Sequence, residues 1–155
     1  MNAHDTAQEP DEHARFAAYI DQLQQIAEAD EADLISHVLS DPDQTMAQSA
    51  MVRHLDRRAA DLHLDPAYVE WSKAMAQAAI GHPYLTRRLH EWSLFRAITL
   101  NLSWRTDDLV AASDWLQLKA AVESSTSALE ILAEDGRTKR IRNTATVSLK
   151  RQSQR

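Results

Sequence analysis

The chain has no cysteine, and only two glycines and four prolines occur among its 155 residues. Without cysteine it can form no disulfide, no thiol nucleophile and no cysteine-ligated zinc site. Its glycines, Gly81 and Gly136, are isolated, so neither a Walker-type phosphate loop nor a dinucleotide-binding turn can be present. A β-sandwich or barrel would need many more Gly and Pro turns, so the composition also argues against those folds.

Long apolar runs are absent as well. No run approaches the roughly 18 residues of a membrane span, and the first five residues lack the basic-then-apolar pattern of a signal peptide. We therefore expect a cytoplasmic protein with no membrane association. Arg outnumbers Lys by 13 to 4, a usage that resembles proteins from high-GC bacteria. The length suits one domain, and a hydrophobic fraction of 44% is typical of a folded chain.

The apolar residues recur at spacings of three and four, which predicts helices throughout. We expect an all-α domain of seven or eight helices over residues 11–150, a flexible segment over residues 1–10 and a flexible tail over residues 151–155. The most apolar stretch runs from Tyr84 to Trp104 and predicts a central helix that buries Trp92, Phe95 and Ile98. After it, Thr106 should cap a sixth helix that extends through Val122.

A short helix, an acidic turn and a second helix are predicted over residues 32–55 and again over residues 126–149. Apolar positions match at an offset of 94 residues: Ile35 with Leu129, Val38 with Leu132, Ala47 with Ile141, Met51 with Ala145, and Leu55 with Leu149. This pattern resembles HEAT-like helical repeats, whose period is about 40–47 residues. The resemblance implies stacked helical hairpins that display a binding surface. The alternative is an irregular helical bundle with the same helix count.

The charge is segregated along the chain. Residues 1–65 have a balance of −10, whereas residues 137–155 carry seven Lys/Arg and no acid. The cations Arg137, Lys139, Arg140 and Arg142 lie at the start of the last predicted helix, where the helix dipole favours acids. A locally unfavourable choice of this kind can indicate an acidic partner, either a protein surface or nucleic-acid phosphates. The alternative is packing against the chain's own acidic half.

Other candidate residues have two interpretations each. Arg53 and Arg57, spaced i,i+4, could hold a phosphate or carboxylate, or could form a solvated helix face. Trp104 lies at a predicted helix end and is the tryptophan expected to be exposed for a ligand, whereas the others fit the core. Asp61, His63 and Asp65 could form a metal site, but we favour helix-end capping.

These observations predict a non-enzymatic interaction module, an adaptor or regulator that binds a partner protein through a helical surface. The alternative is a nucleic-acid-associated regulator that uses the basic C-terminal helix. A third possibility is a helical enzyme or metal protein with a histidine-based site. No catalytic motif is recognised, and no cofactor, metal ligand set or membrane partner is expected. The sequence leaves the oligomeric state open.

Overall fold

The computed structural model describes residues 3–155, with side chains from residue 11 onward. This part of the chain forms nine α-helices, a 3-10 turn at Glu28–Asp30 and no strand. The α-helices are α1 Ala3–Gln25, α2 Glu31–Leu39, α3 Gln44–Leu62, α4 Ala67–Ala78, α5 Pro83–Thr99, α6 Thr106–Val110, α7 Asp114–Val122, α8 Thr126–Asp135 and α9 Lys139–Ser153. The predicted all-α class is confirmed. Among the described residues, no helix is both long enough and apolar enough to cross a membrane.

The chain divides into two compact units, residues 1–89 and residues 90–155. The boundary falls inside α5, so the domain predicted over residues 11–150 contains two units. The tail predicted at residues 151–155 includes the last turn of α9, which ends at Ser153. The flexible segment predicted at residues 1–10 lies outside the residues described with side chains.

In the first unit, α1 packs against α2 and α3, and α4 packs against the same two helices. The turn between α2 and α3 ends as the sequence predicts, because the Asp43 carboxylate accepts a hydrogen bond from the Met46 amide and caps α3. The core is formed by side chains at helical spacing: Leu23, Ile35, Val38, Ala47, Met51, Leu55, Trp71 and Met75.

In the second unit, α9 packs against α7 and α8, and α6 packs against α8. Hydroxyl caps start three of these helices, since Ser113, Ser125 and Thr138 each accept a hydrogen bond from the amide three residues later. The Ser125 cap lies in the stretch of four hydroxyl residues, 124–127, at which α8 begins after the end of α7. The core side chains of this unit include Leu109, Leu116, Leu129, Leu132, Ile141 and Ala145.

The central helix is shorter than the sequence predicts. Trp92, Phe95 and Ile98 are buried as expected. However, α5 ends at Thr99, and Asn101 adopts a left-handed backbone conformation with φ 56°. Once the helix ends, its periodicity no longer directs side chains inward. Leu102, which lies within the predicted helical stretch Tyr84–Trp104 but after the end of α5, is therefore 46% exposed.

The sixth predicted helix is in fact two helices. The expectation of one helix from Thr106 through Val122 is wrong because Ser113 caps a new helix, α7, only three residues after α6 ends. The buried Glu91 carboxylate accepts hydrogen bonds from the Ser113 amide at 2.7 Å and from its hydroxyl at 2.6 Å. This long-range contact stabilises the break, and sequence periodicity alone carries no sign of it.

The two hairpins that suggested a repeat bury matching positions. Four of the five apolar pairs predicted at the 94-residue offset are buried in both hairpins: Ile35 and Leu129, Val38 and Leu132, Ala47 and Ile141, and Met51 and Ala145. The fifth pair does not match, since Leu55 is buried and Leu149 is only half-buried. A further pair, His54 and Ser148, is buried in both hairpins. The last pair is polar in both hairpins. The caps differ by one position, since Asp43 begins α3 and Thr138 begins α9. Relationship to the HEAT-like family stays a prediction.

Candidate functional site

The predicted basic segment lies at the turn from α8 to α9 and in the first turn of α9. The Arg137 amide donates to Gln117 Oε1 at 2.9 Å, and its guanidinium lies 3.6 Å from the exposed Asp114 carboxylate. Gln117 is fully buried and also donates to the Leu109 and Val110 carbonyls. The start of α9 is therefore held by the core of its own unit.

The four cations of this segment do not form one open cluster. Arg142 is half-buried, and its Nη1 donates to the carbonyl of Gly136, the C-cap residue of α8, at 2.7 Å. Arg137 is partly occupied by Asp114. Lys139 and Arg140 are exposed. Within this segment Arg137, Lys139 and Arg140 are thus exposed, and Arg137 lies beside the carboxylate of Asp114.

A longer surface follows α9 beyond that first turn. One side of α9 carries Arg140 and the residues that follow it by 3, 4, 7 and 11 positions, which are Asn143, Thr144, Val147 and Arg151. A shallow groove of about 300 Å³ runs along this side. Its lining residues are Val122, Asn143, Thr144, Val147, Ser148 and Arg151. We call these residues, together with Arg140, the α9 groove.

Apolar contact area lies in the middle of the α9 groove. Val122 is 59% exposed and Val147 is 48% exposed. The exposed Arg151 lines the groove, and the exposed Arg140 lies about one turn before Asn143 and Thr144 on the same side of α9. No acid occurs from residue 137 to residue 155. An apolar centre with a charged or polar rim is the usual composition of a protein-binding surface.

The floor of the α9 groove is tied to the end of α7. The buried Ser148 hydroxyl donates to the Ala121 carbonyl at 2.6 Å. One turn later, Gln152 donates to the Ser124 carbonyl and accepts from the Thr126 hydroxyl, each at 2.9 Å. These bonds attach α9 to the α7–α8 connection, so the groove exists without any ligand.

Arg53 and Arg57 do not form a free anion site. Arg57 Nη2 donates to the Leu23 carbonyl and to His54 Nδ1, each at 3.1 Å, whereas Arg53 is exposed. On the same helix, Asp56 pairs with Arg88 through two hydrogen bonds of 2.6 and 2.9 Å. Much of this predicted polar face therefore binds the chain's own groups: Arg57 binds a backbone carbonyl and a histidine, and only Arg53 is left as the exposed cation of the predicted pair.

A buried polar network that the sequence analysis missed lies beside that face. The Glu31 carboxylate accepts hydrogen bonds from Arg58 at 3.0 and 3.2 Å and from the Trp71 indole at 3.2 Å, and it lies 2.6 Å from His54 Nε2. Burial disfavours the charged carboxylate, but hydrogen bonds from His54, Arg58 and Trp71 outweigh it and lower the pKa of Glu31 to about 2. Both oxygens of the Glu31 carboxylate therefore have hydrogen-bond partners within the first unit.

A signal for this network was present in the spacing. Glu31 precedes Ile35 by four residues and Val38 by seven, and His54 follows Met51 by three, so both polar residues occupy the buried faces of their helices. A polar residue on a buried face must find a hydrogen-bond partner there. The network is buried and contains no path to a substrate, which fits a structural role.

The other predicted candidates are dispersed. Trp104 is half-buried in the connection between α5 and α6. His63 Nδ1 lies 3.1 Å from the Ala59 carbonyl, and the Asp65 carboxylate accepts from the Ala67 amide at 2.8 Å, which is the helix-end role favoured above. From residue 11 onward, no group of three or more His, Asp or Glu side chains is arranged to hold a metal ion.

A second groove, of about 460 Å³, lies in the first unit between α3 and Tyr84. Its lining is uncharged and consists of Gln44, Thr45, Gln48, Ser49, Val52 and Tyr84. Gln44 is occupied by the Leu39 and Asp41 carbonyls, and Ser49 by the Thr45 carbonyl. It therefore lacks the charged end groups that distinguish the α9 groove.

Comparisons of the chain with family models, with curated proteins and with solved structures give no match. The α9 groove is therefore the feature of the molecule from which a function can be inferred.

Proposed function

We propose that this chain is a non-enzymatic interaction module, an adaptor or regulator that binds a partner protein through the α9 groove. One observation carries the proposal: exposed Val147 of α9 lies beside exposed Val122, the last residue of α7, and the exposed Arg140 and Arg151 precede and follow Val147 on the same side of α9. Hydrogen bonds of Ser148 and Gln152 attach this part of α9 to the α7–α8 connection. A surface that is already ordered loses little conformational entropy on binding.

The matching burial in the two hairpins supports the same proposal. Helical hairpins of the HEAT-like type present a face to partners, and the burial pattern of residues 32–55 and 126–149 is consistent with two such hairpins. A cytoplasmic location in a high-GC bacterium fits the absence of cysteine and the high Arg content.

A nucleic-acid-associated regulator is the second candidate, because residues 137–155 carry seven cations and no acid. Two features weigh against it. Arg142 binds the Gly136 carbonyl, and the centre of the surface is apolar at Val122 and Val147. Nucleic-acid phosphates are bound by cationic and hydrogen-bonding groups, so the exposed side chains of Val122 and Val147 would have no role in such an interface.

Site-specific photo-crosslinking in the cells that make the protein tests both candidates. A photoreactive amino acid at Thr144, inside the α9 groove, should crosslink to a protein. The same group at Gln77, exposed on α4, serves as the control. A protein adduct that forms from Thr144 and not from Gln77 supports the proposal. Adducts with RNA or DNA alone, or no adduct from Thr144, would contradict it.

A further inference from the structure

We infer that the α9 groove binds an acidic helical segment of a partner protein, whose carboxylates reach Arg140 and Arg151 and whose apolar residues contact Val122 and Val147. This inference rests on the proposed function and gives the partner's chemistry. It follows from the distances and charges along α9, taken in turn below.

The two arginines set the length of the partner segment. Arg140 and Arg151 are eleven residues apart, which is three helical turns and a rise of roughly 16 Å. A helix lying along α9 brings its own residues back to the same side at the same interval. Two acids separated by eleven residues would therefore face both arginines. Apolar residues four and seven positions after the first acid would lie over Thr144 and Val147, with Val122 of α7 beside them.

Charge complementarity selects an acidic partner. The side chains of Arg140 and Arg151 form no ion pair within the described residues. The acids nearest in sequence to Arg140 are Glu134 and Asp135, at the end of α8, and none follows them. Positive potential along α9 therefore has no counterpart on the helix itself, and a partner carboxylate would supply one.

The groove also has the polar rim that a peptide needs. Asn143 and Thr144 lie between Arg140 and Val147 along α9 and can hydrogen-bond to polar side chains of the partner. Because Ser148 and Gln152 fix α9 against the α7–α8 connection, binding requires no rearrangement of the groove. This arrangement is the helix-in-groove mode of peptide recognition, with apolar anchors at helical spacing.

A labelled helical peptide tests the inference with the full-length protein. The probe is an alanine-rich peptide with two glutamates eleven residues apart and leucines four and seven positions after the first glutamate. A second peptide of the same composition has its glutamates nine residues apart, which is two and a half helical turns, so that the second glutamate lies on the side opposite the leucines. Fluorescence anisotropy should show up to about fivefold tighter binding of the first peptide, since the second peptide loses one exposed charge contact.

Charge reversal locates the contact. Arg151→Glu should weaken binding of the first peptide about tenfold, because an attractive pair becomes repulsive. Lys150→Glu makes the same change in net charge one position away, on a different side of α9, and should weaken it less than about twofold. A peptide whose second glutamate is replaced by lysine should bind Arg151→Glu better than it binds the unmodified protein.

The outcomes separate this inference from the function it rests on. Equal binding of the two peptides, or equal loss in Arg151→Glu and Lys150→Glu, overturns the acidic-helix inference. The proposed function still stands if a protein crosslinks from Thr144. Tighter binding of an oligo(dT) probe than of either peptide, with steep salt dependence, overturns the inference in favour of nucleic acid.

Discussion

His54 Nε2 and Glu31 Oε2 lie 2.6 Å apart, both buried, although 23 residues separate them in the chain. Arg57 donates to the other ring nitrogen, His54 Nδ1, which must therefore be unprotonated. The ring is the neutral tautomer that donates from Nε2 to Glu31. This assignment makes Arg58 the cation that neutralises Glu31, with Trp71 and His54 as neutral donors. One carboxylate thus joins α2, α3 and α4.

Replacing Glu31 by glutamine should destabilise the first unit. Glutamine keeps the volume but carries no charge for Arg58, and its NH₂ group would face donors. We expect a loss of about 3 kcal/mol in the free energy of unfolding, within the range for breaking a buried pair. Urea unfolding followed by tryptophan fluorescence measures it. Glu70→Gln is the matched control, since Glu70 has an 83% exposed side chain, and it should change stability by less than about 0.5 kcal/mol.

The lowered pKa of Glu31 predicts that the stability of the protein depends on pH. The pKa of Glu31 falls from its ordinary 4.5 to about 2 on folding. A lowered pKa means that the stabilisation is fully present above the unfolded value and is lost as the pH falls from 4.5 toward 2. The loss amounts to about 3 kcal/mol, because one pKa unit corresponds to about 1.4 kcal/mol.

Comparison with Glu31→Gln isolates this contribution from other carboxylates. The pKa of Asp41 is also lowered, chiefly by its hydrogen bond from Tyr19. Protonation of Asp41 at low pH therefore destabilises the unmodified protein and Glu31→Gln alike, and it does not affect the difference between them. Unfolding curves collected down to pH 3 should therefore converge for the two proteins as the pH falls. Parallel curves would show that Glu31 is not the group responsible.

Gln117→Leu should destabilise the second unit by about 2–4 kcal/mol. The substitution leaves the Val110 carbonyl and the Arg137 amide without the Gln117 partner, whereas the Leu109 carbonyl keeps its hydrogen bond from the Ala112 amide. Each group left without a hydrogen bond away from water costs about 1–3 kcal/mol. The exposed Gln77 provides the matched Gln→Leu control. Hydrogen exchange should show faster opening at residues 136–140 in Gln117→Leu. Unchanged protection there would contradict the proposed role of Gln117 in holding the start of α9.

Phe95→Ala should cost roughly 3–5 kcal/mol, the usual range for removing a buried phenylalanine. Phe95 is only 9% exposed and packs edge-on against Trp92, with the Lys119 ammonium 5.0 Å from its ring. Leu102→Ala, in the connection after α5, should cost less than about 1 kcal/mol, since Leu102 is largely exposed. Chemical denaturation of both variants checks the difference, and similar losses would contradict the end of α5 at Thr99.

Gly136→Ala should destabilise the α8–α9 turn by about 1–3 kcal/mol through overpacking. A Cβ at this position would lie 2.5 Å from the Leu132 carbonyl oxygen and 2.8 Å from Ile141 Cγ2. The backbone φ is −54°, so the constraint is steric and not conformational. The thermal midpoint should fall relative to the unmodified protein. An unchanged midpoint would mean that α8 and α9 can separate at the turn without cost.

The all-α class and most helix ends could be read from the sequence because they depend on local chemistry. Apolar spacing of three and four selects helix, and Asp43, Ser125 and Thr138 cap the helices they precede through bonds to amides three residues away. Buried positions such as Phe95 and Ile141 followed from the same periodicity. All of these signals lie within about one turn of the residue concerned.

Contacts between distant residues were decided by the tertiary structure alone. Glu91 reaches Ser113 across 22 residues and thereby stabilises the break that divides one expected helix into α6 and α7. Arg142 was predicted as a partner-binding cation, but folding brings the Gly136 carbonyl within 2.7 Å of it. The α9 groove exists because Ser148 bonds to Ala121, 27 residues earlier. The sequence determines which side chains are charged, apolar or polar, but which of them remain accessible depends on how the helices pack.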